Sequence, residues 1–182
     1  MIERVMPAAR VRVPDSRRYE VIDGRLVVTG LQPPVHQAAV VGLMVQLKQA
    51  CPPDQLVAVG SLDFRPAPKM SLRPDILVCH RDNAVGLNNS SPATGAQYVH
   101  QILLAVEVLS PTTRVMDVVT KRELYAQHGV PAYWLLDPDT EELTLLELTG
   151  PHYTCHAVLQ GEETIDLTTP FPITLSPAGF FK

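Results

Sequence analysis

The chain has 182 residues, of which 46% are hydrophobic and 19% charged, and its formal net charge is −4. This length suits one domain with a full hydrophobic core, and the composition excludes an intrinsically disordered chain. The longest apolar run, Ala38 to Val45, is far below the roughly 18 residues that a membrane-spanning helix needs. The acidic balance also argues against tight non-specific binding of nucleic acid, which usually depends on a basic excess.

The cysteines and the N-terminus bear on the cellular compartment. Cys51, Cys79 and Cys155 are odd in number and widely separated, which is typical of free thiols in a reducing compartment. The first residues contain no apolar stretch of the kind that marks a protein for secretion. We therefore expect a cytoplasmic protein.

The N-terminal half predicts a hairpin, a helix and short strands, after an irregular segment over residues 1–18. Apolar runs flank Asp23-Gly24 within residues 19–28, and this dipeptide is a strong hairpin signal because both turn residues adopt positive φ. Apolar residues repeat at helical spacing between His36 and Ala50, which predicts a helix with one buried face. Strands are predicted next at residues 56–59, 62–65 and 73–79.

The C-terminal half begins with a long predicted loop over residues 80–97, which is rich in Asn, Ser and Gly. Residues 102–109 are apolar on both faces except for Glu107, which is typical of a strand in the middle of a covered sheet. A helix is predicted from Arg114 to His128, because Gly129 follows its end as a capping glycine would. The further predicted elements are strands at 132–136 and 142–148, a hairpin over 151–167 around Gly161, and a surface tail over 168–182.

Glu107 does not fit an ordinary structural explanation. In a strand its same-face neighbours are Leu103, Ala105 and Leu109, and a carboxylate among them costs several kcal/mol unless a cation or several donors compensate. A buried structural ion pair would explain it. A metal ligand or a general base would also explain it, and we favour this second interpretation.

Asp75 and Lys121 also allow both a structural and a functional explanation, with weaker evidence for the second. Asp75 opens its strand after Pro74, where it could bond loop amides or face a second carboxylate across a divalent cation. Lys121 follows Asp117 by four residues, and such a pair on a solvated helix face contributes only about 0.3–0.5 kcal/mol. Periodicity alone does not say whether this face points at the carboxylates.

An ordered set of short motifs lies between residues 19 and 148. The motifs are Tyr19-Glu20-x-x-Asp23-Gly24, Pro34-x-His36, Arg73-Pro74-Asp75-Ile76, Glu107-Val108-Leu109-Ser110-Pro111-Thr112-Thr113, Asp117-x-x-x-Lys121-x-x-x-Tyr125, Gly129-Val130 and Tyr133-Trp134-Leu135-Leu136-Asp137-Pro138. This ordered set resembles the Uma family of bacterial restriction endonucleases. The resemblance implies one PD-(D/E)XK domain over residues 1–182. Its fold class would be α/β (α+β), with a restriction-endonuclease-like mixed β-sheet core flanked by helices and extra β-hairpins.

The same resemblance implies roles for individual residues. Asp75 and Glu107 would bind Mg²⁺, with Mn²⁺ as a substitute, and Glu20 would be an additional N-terminal carboxylate. The superfamily pattern has a lysine two residues after Glu107, where this chain has Leu109. The resemblance therefore leaves Lys121, one element later, to assist the attacking water.

Two further residues and three arginines complete the candidates. His36 and Asp117 are auxiliary site residues, and His36 could equally be a hydrogen-bonding residue at the start of the helix. Arg73, Arg114 and Arg122 are candidates to position a phosphate backbone.

We therefore expect a metal-dependent endonuclease that hydrolyses phosphodiester bonds of DNA, without a membrane partner and as a homodimer whose two-fold cleft spans a duplex. The alternative is a catalytically inactive nuclease-fold module that binds nucleic acid or protein. A glycosidase built on the same carboxylate pair would need an aromatic cleft, and aromatic residues are only 5% of the chain.

Overall fold

The computed structural model describes residues 17–86 and 97–181. In chain order its elements are β1 (Arg18–Ile22), β2 (Arg25–Thr29), α1 (Pro34–Ala50), β3 (Gln55–Val59), β4 (Asp63–Phe64), β5 (Ile76–His80), a 3-10 turn (Arg81–Asn83), β6 (Ala84–Val85), β7 (Tyr98–Val99), β8 (Leu104–Val108), a π-helical turn (Met116–Lys121), α2 (Arg122–Gln127), β9 (Ala132–Asp137), β10 (Glu142–Thr149), β11 (His152–Gln160), β12 (Ile165–Leu167) and β13 (Ile173–Leu175).

A six-stranded mixed sheet in the order β11-β10-β9-β8-β5-β3 forms the centre of the fold. β8 and β9 are parallel, as expected for strands joined by a helical crossover, and the other neighbours are antiparallel. One face of the sheet packs against α1, β12 and β13, and the other packs against α2 and the small β4-β7-β6 sheet. This arrangement confirms the predicted fold class.

Several local predictions are confirmed. The first hairpin forms around Asp23 and Gly24, and both residues have positive φ. β8 lies inside the six-stranded sheet, with both faces covered. The helix after it ends at Gly129, which also has positive φ, and Val130 N–H donates to the Tyr125 carbonyl as in a Schellman cap.

The predicted hairpin over residues 151–167 is wrong. β11 pairs with β10 instead, and β12 pairs with β13, which buries Leu167, Ile173 and Leu175 in the main core. The predicted surface tail is wrong as well: Phe171, Ile173 and Phe180 are buried against the main core. Most of the predicted 80–97 loop, residues 87–96, lies outside the described residues.

Within the described ranges, no helix is long and apolar enough to cross a membrane.

The buried C-terminal segment predicts an unusual result for Gly42 in α1. Replacing a helical glycine by alanine ordinarily stabilises a helix by about 0.8–1 kcal/mol. Here a Cβ at position 42 would lie 2.7 Å from the Phe180 Cα, so the backbone of the C-terminal segment would have to shift. We expect Gly42→Ala to lower the free energy of unfolding by about 1–3 kcal/mol in urea titrations. Gln49→Ala, at an exposed position of the same helix, is the control, and a stabilised Gly42→Ala protein would contradict the packing.

Candidate active site

The pairing of β5 with β8 brings Asp75 and Glu107 to the same place. These strands are antiparallel, with Ile76 opposite Val106. Asp75 directly precedes β5, so continuing the register by one residue places it beside Glu107. A hydrogen bond of 2.8 Å from Val108 N–H to Asp75 Oδ2 ties the two segments together at this end.

Asp75 is buried and surrounded by hydrogen-bond donors. Arg18 donates to its Oδ1, and His36 Nε2 lies 3.3 Å from its Oδ2. Burial alone would raise the pKa of Asp75. The hydrogen bond from His36 and the charge of Arg18 outweigh burial and hold this pKa well below its ordinary value. Asp75 is therefore an ionised carboxylate at neutral pH.

Glu107 is 1% exposed and accepts two hydrogen bonds at the same oxygen, Oε1. Lys121 Nζ lies 2.9 Å from it and Tyr125 Oη 2.8 Å. Lys121 faces the carboxylates rather than solvent, which periodicity could not decide. Oε2 of Glu107 receives no hydrogen bond from any residue within 17–86 or 97–181 and so keeps its acceptor capacity.

Lys121 joins two more carboxylates to the cluster. Its Nζ lies 3.1 Å from Glu20 Oε1 and 3.5 Å from Asp117 Oδ1. Glu20 comes from β1 and also accepts a 2.8 Å hydrogen bond from Arg73 N–H, which fixes the hairpin over the site. Asp117 and Lys121 lie in the π-helical turn, an irregularity that is common at functional sites because it alters the direction of side chains.

The pKa values of the cluster reflect its excess of carboxylates. Burial raises the pKa of Glu107 well above its ordinary value, since the attraction of Lys121 does not cancel burial and the repulsion of Asp117 and Asp75. Burial also raises the pKa of Asp117. Burial would lower the pKa of Lys121, but Glu107 and the other carboxylates raise it above its ordinary value. The lysine thus stays charged at any ordinary pH.

These shifts predict how stability depends on pH in the presence of a chelator. Because the pKa values of Glu107 and Asp117 are raised, the folded protein binds more protons than the unfolded chain above about pH 4, so stability falls as pH rises through the raised values. The lowered pKa of Asp75 changes the pH dependence of stability only below about pH 4. We expect a lower urea midpoint at about pH 8 than at about pH 5, and a weaker decline in Glu107→Gln. Equal decline in both proteins would contradict the role given to Glu107.

Arginines were the part of the site that the sequence interpretation missed or misplaced. The irregular segment predicted over residues 1–18 includes Arg18, but this residue opens β1 and contacts Asp75. The side chain of Arg73 makes two hydrogen bonds to Oδ1 of the buried Asp63, at 2.9 and 2.7 Å. This contact holds Arg73 near the site.

Arg114 and Arg122 have structural partners. Arg114 pairs with Asp137 at 2.8 Å, and Arg122 donates to the Tyr153 carbonyl at 3.1 Å. These contacts anchor the helical segment to β9 and β11, and the assignment of both arginines to phosphate contact stays a prediction.

The donor set fits one kind of metal better than others. Among the described residues there is no group of three or more His, Cys, Asp or Glu side chains close enough to hold a metal ion. Asp75 and Glu107 nevertheless offer hard carboxylate oxygens on one face, and Mg²⁺ is commonly bound by one or two carboxylates while it keeps several waters. The charges of Arg18 and Lys121 on these carboxylates indicate that the site favours positive charge. The residues therefore fit Mg²⁺ or Mn²⁺.

Comparison with known proteins confirms the resemblance seen in the motifs. A crystal structure described as that of "a putative nuclease belonging to DUF820 from Anabaena variabilis ATCC 29413" has the same fold, with a TM-score of 0.71, 18% identity and 93% of each chain covered. No protein of curated function matches the sequence. Residues 6–178 match the Uma2 family, whose description is "Putative restriction endonuclease". Since this match covers most of the sequence, the chain belongs to the Uma2 family.

Proposed function

We propose that the chain is a single restriction-endonuclease-like domain that hydrolyses phosphodiester bonds of DNA in a Mg²⁺-dependent reaction. The observation that carries the proposal is the meeting of Asp75 and Glu107 on one face of the sheet, with the Lys121 ammonium 2.9 Å from Glu107. Membership of the Uma2 family supports it. The cluster contains more carboxylates than a packed structure needs, which is typical of a site built for positive charge.

Asp75 and Glu107 would hold the divalent cation. When bound, the cation would acidify a water molecule and neutralise charge on the scissile phosphate. The ionised Asp75 is ready to coordinate at neutral pH because His36 and Arg18 already stabilise its charge. Oε2 of Glu107 is the oxygen that its neighbours leave open.

Lys121 acts as a permanent charge in this proposal. Because its pKa is raised, it cannot accept a proton from water at neutral pH, so it orients the attacking water and stabilises the phosphate in the transition state. Glu20 and Asp117 share the ammonium with Glu107 and thereby fix the direction in which it points. Tyr125 fixes the position of Glu107 by a hydrogen bond of 2.8 Å from its hydroxyl to Oε1.

A second candidate is a nuclease-fold module that binds nucleic acid or protein without cleaving it. The observation that favours it is Arg18, whose guanidinium contacts Oδ1 of Asp75 and so competes for an oxygen that the cation would need. Arg18 must move from this oxygen before two-carboxylate coordination is complete. A module that had lost its metal would keep such a contact permanently.

The test is cleavage of supercoiled circular DNA by the purified protein. We expect nicked and linear products in Mg²⁺ or Mn²⁺ and none in EDTA. Tight binding of the same DNA without products in either metal would overturn the endonuclease proposal and favour the binding module. Linear single strands and RNA serve as parallel substrates that identify the preferred nucleic acid.

We also propose that the active form is a homodimer, in which two copies could engage a duplex with two-fold symmetry. Apolar side chains support this: Leu26 and Val28 on β2 and Val115 and Val119 near the π-helical turn are exposed. We expect light scattering to give twice the monomer mass at high protein concentration. A monomer mass throughout the concentration range would remove the proposal.

A further inference from the structure

A cavity of about 370 Å³ opens beside Asp75, between the start of β1 and the side of α1. Its volume lies in the range of about 300–1,000 Å³ that is usual for small-molecule sites. Since Asp75 forms part of its wall, whatever enters this cavity is adjacent to the proposed site of hydrolysis. The cavity is distinct from a smaller one, of about 170 Å³, whose lining includes Lys121 and Glu20.

The part of the cavity near Asp75 carries positive charge. Arg17, Arg18 and Arg73 line it; the carboxylate of Asp75 pairs with Arg18 and that of Asp63 with Arg73, which leaves the charge of Arg17 in excess. Asp63 holds Arg73 in place, and Arg18 contacts Asp75 in the absence of a metal ion. Arg17 is exposed, and residues 17–86 and 97–181 offer it no acidic partner. This set of guanidinium groups is suited to a phosphate group, with Arg17 as the side chain that is free to close on it.

The remainder of the cavity is built differently. Leu31, Val40 and Val59 provide apolar surface, and Gln32 and Gln37 provide amides. Oε1 of Gln32 is buried and has no hydrogen-bond partner within the described part of the chain. A buried polar atom without a partner costs about 1–3 kcal/mol. The Gln32 side chain as a whole is half-buried, so a turn of its amide toward a ligand N–H in the cavity would gain a hydrogen bond that the protein lacks. Inorganic phosphate has neither an N–H group nor an apolar face.

We propose that this cavity binds a single unpaired nucleotide of the strand being cut, with its phosphate at the arginines and its base between the apolar side chains and Gln32. The proposal rests on the proposed nuclease function and narrows its substrate. A base that is paired and stacked in a duplex cannot enter, and extruding it costs a few kcal/mol, least where it is mismatched or already single-stranded. The enzyme therefore prefers single strands, strand ends and mismatched positions to intact duplex.

Binding of mononucleotides tests the cavity without any need for catalysis. Calorimetric titrations in EDTA would use each 2′-deoxynucleoside 5′-monophosphate, its ribonucleoside counterpart and inorganic phosphate. We expect nucleotides to bind at least tenfold more tightly than phosphate, and the two sugar series to show which nucleic acid is preferred. Equal affinity of nucleotides and phosphate would overturn the proposal.

Variants separate the two halves of the cavity. Gln32→Leu should remove most of the affinity advantage of nucleotides over phosphate and leave phosphate binding unchanged. Gln37→Ala, which alters only an exposed residue, should reduce the same advantage. Arg17→Met should weaken both ligands about equally. Gln101→Leu and Arg25→Met are matched controls at exposed positions outside the cavity and should bind like the parent. Wild-type affinities in Gln32→Leu and Gln37→Ala would overturn the base site.

Cleavage separates this inference from the proposed function. In Mg²⁺, a duplex with a short unpaired stretch should be cut at least tenfold faster than the same duplex fully paired. Equal rates on the two duplexes would overturn the unpaired-nucleotide inference and leave the nuclease proposal standing. Tight nucleotide binding with no cleavage of either duplex would overturn the nuclease proposal and support the cavity.

Discussion

Replacing Glu107 by Gln is expected to lower the rate of DNA cleavage about a hundred- to thousandfold, because one of two proposed metal-binding carboxylates loses its charge while its shape is kept. Asp75→Asn should have an effect of the same size, since it removes the other carboxylate and leaves Arg18 without its partner. Nicking of supercoiled DNA under single-turnover conditions in Mg²⁺ measures both.

The control variant is Glu162→Gln, which removes one carboxylate charge at an exposed position far along the chain from the cluster. It should cleave DNA at the parental rate, so a loss seen only in the Glu107 and Asp75 variants cannot be an effect of net charge. Wild-type cleavage by Glu107→Gln would remove Glu107 from the proposed mechanism. Higher Mn²⁺ concentrations should partly restore the Asp75→Asn rate if weakened metal binding is the cause.

The core of the site was predictable because its signals are local. Glu107 stands out as a charge in an apolar strand, and its same-face neighbours follow from the alternation of side chains. The Asp23-Gly24 turn identifies the hairpin that carries Glu20. The strand pairing that places Asp75 beside Glu107 is not local. Even so, one acidic residue in each of two buried strands indicates that the two carboxylates share a site.

Other features leave no local signal. The direction of Lys121 depends on a π-helical turn, so extrapolation at ideal helical spacing does not fix it. Arg18 contacts Asp75 across 57 positions, and nothing near either residue indicates the pairing. The tail was misread because prolines suggest irregular structure, although the alternation of Ile173, Thr174 and Leu175 does indicate a strand with one buried face.

The second large effect concerns stability in EDTA, where two substitutions in one ion pair should have opposite consequences. Lys121→Met leaves Glu20, Glu107 and Asp117 facing one another without the ammonium they share, and should lower the free energy of unfolding by about 3–5 kcal/mol. Glu107→Gln should be as stable as the parent, or more stable. Paired thermal melts and urea titrations in EDTA measure both.

The opposite effects of the two substitutions follow from the number of charged partners that each residue has. When Glu107 is neutralised, Lys121 keeps Glu20 at 3.1 Å and Asp117 at 3.5 Å, so no buried cation is stranded. The glutamine oxygen can still accept the hydrogen bond from Tyr125. Strong destabilisation of Glu107→Gln in EDTA would instead show that Glu107 is half of a structural ion pair, and would refute the metal-site interpretation.

Magnesium should change the stability of the parent and that of Glu107→Gln by different amounts. A cation that binds only the folded state stabilises it by about 1.4 kcal/mol for each tenfold excess over its dissociation constant. The parent should gain in this way, since the cation compensates the burial and the repulsion that raise the pKa of Glu107. Glu107→Gln should gain little, because Asp75 is then the one charged ligand left of the proposed pair. A gain of equal size in both proteins would show that the ion binds elsewhere, and Glu107 would then have no part in holding it.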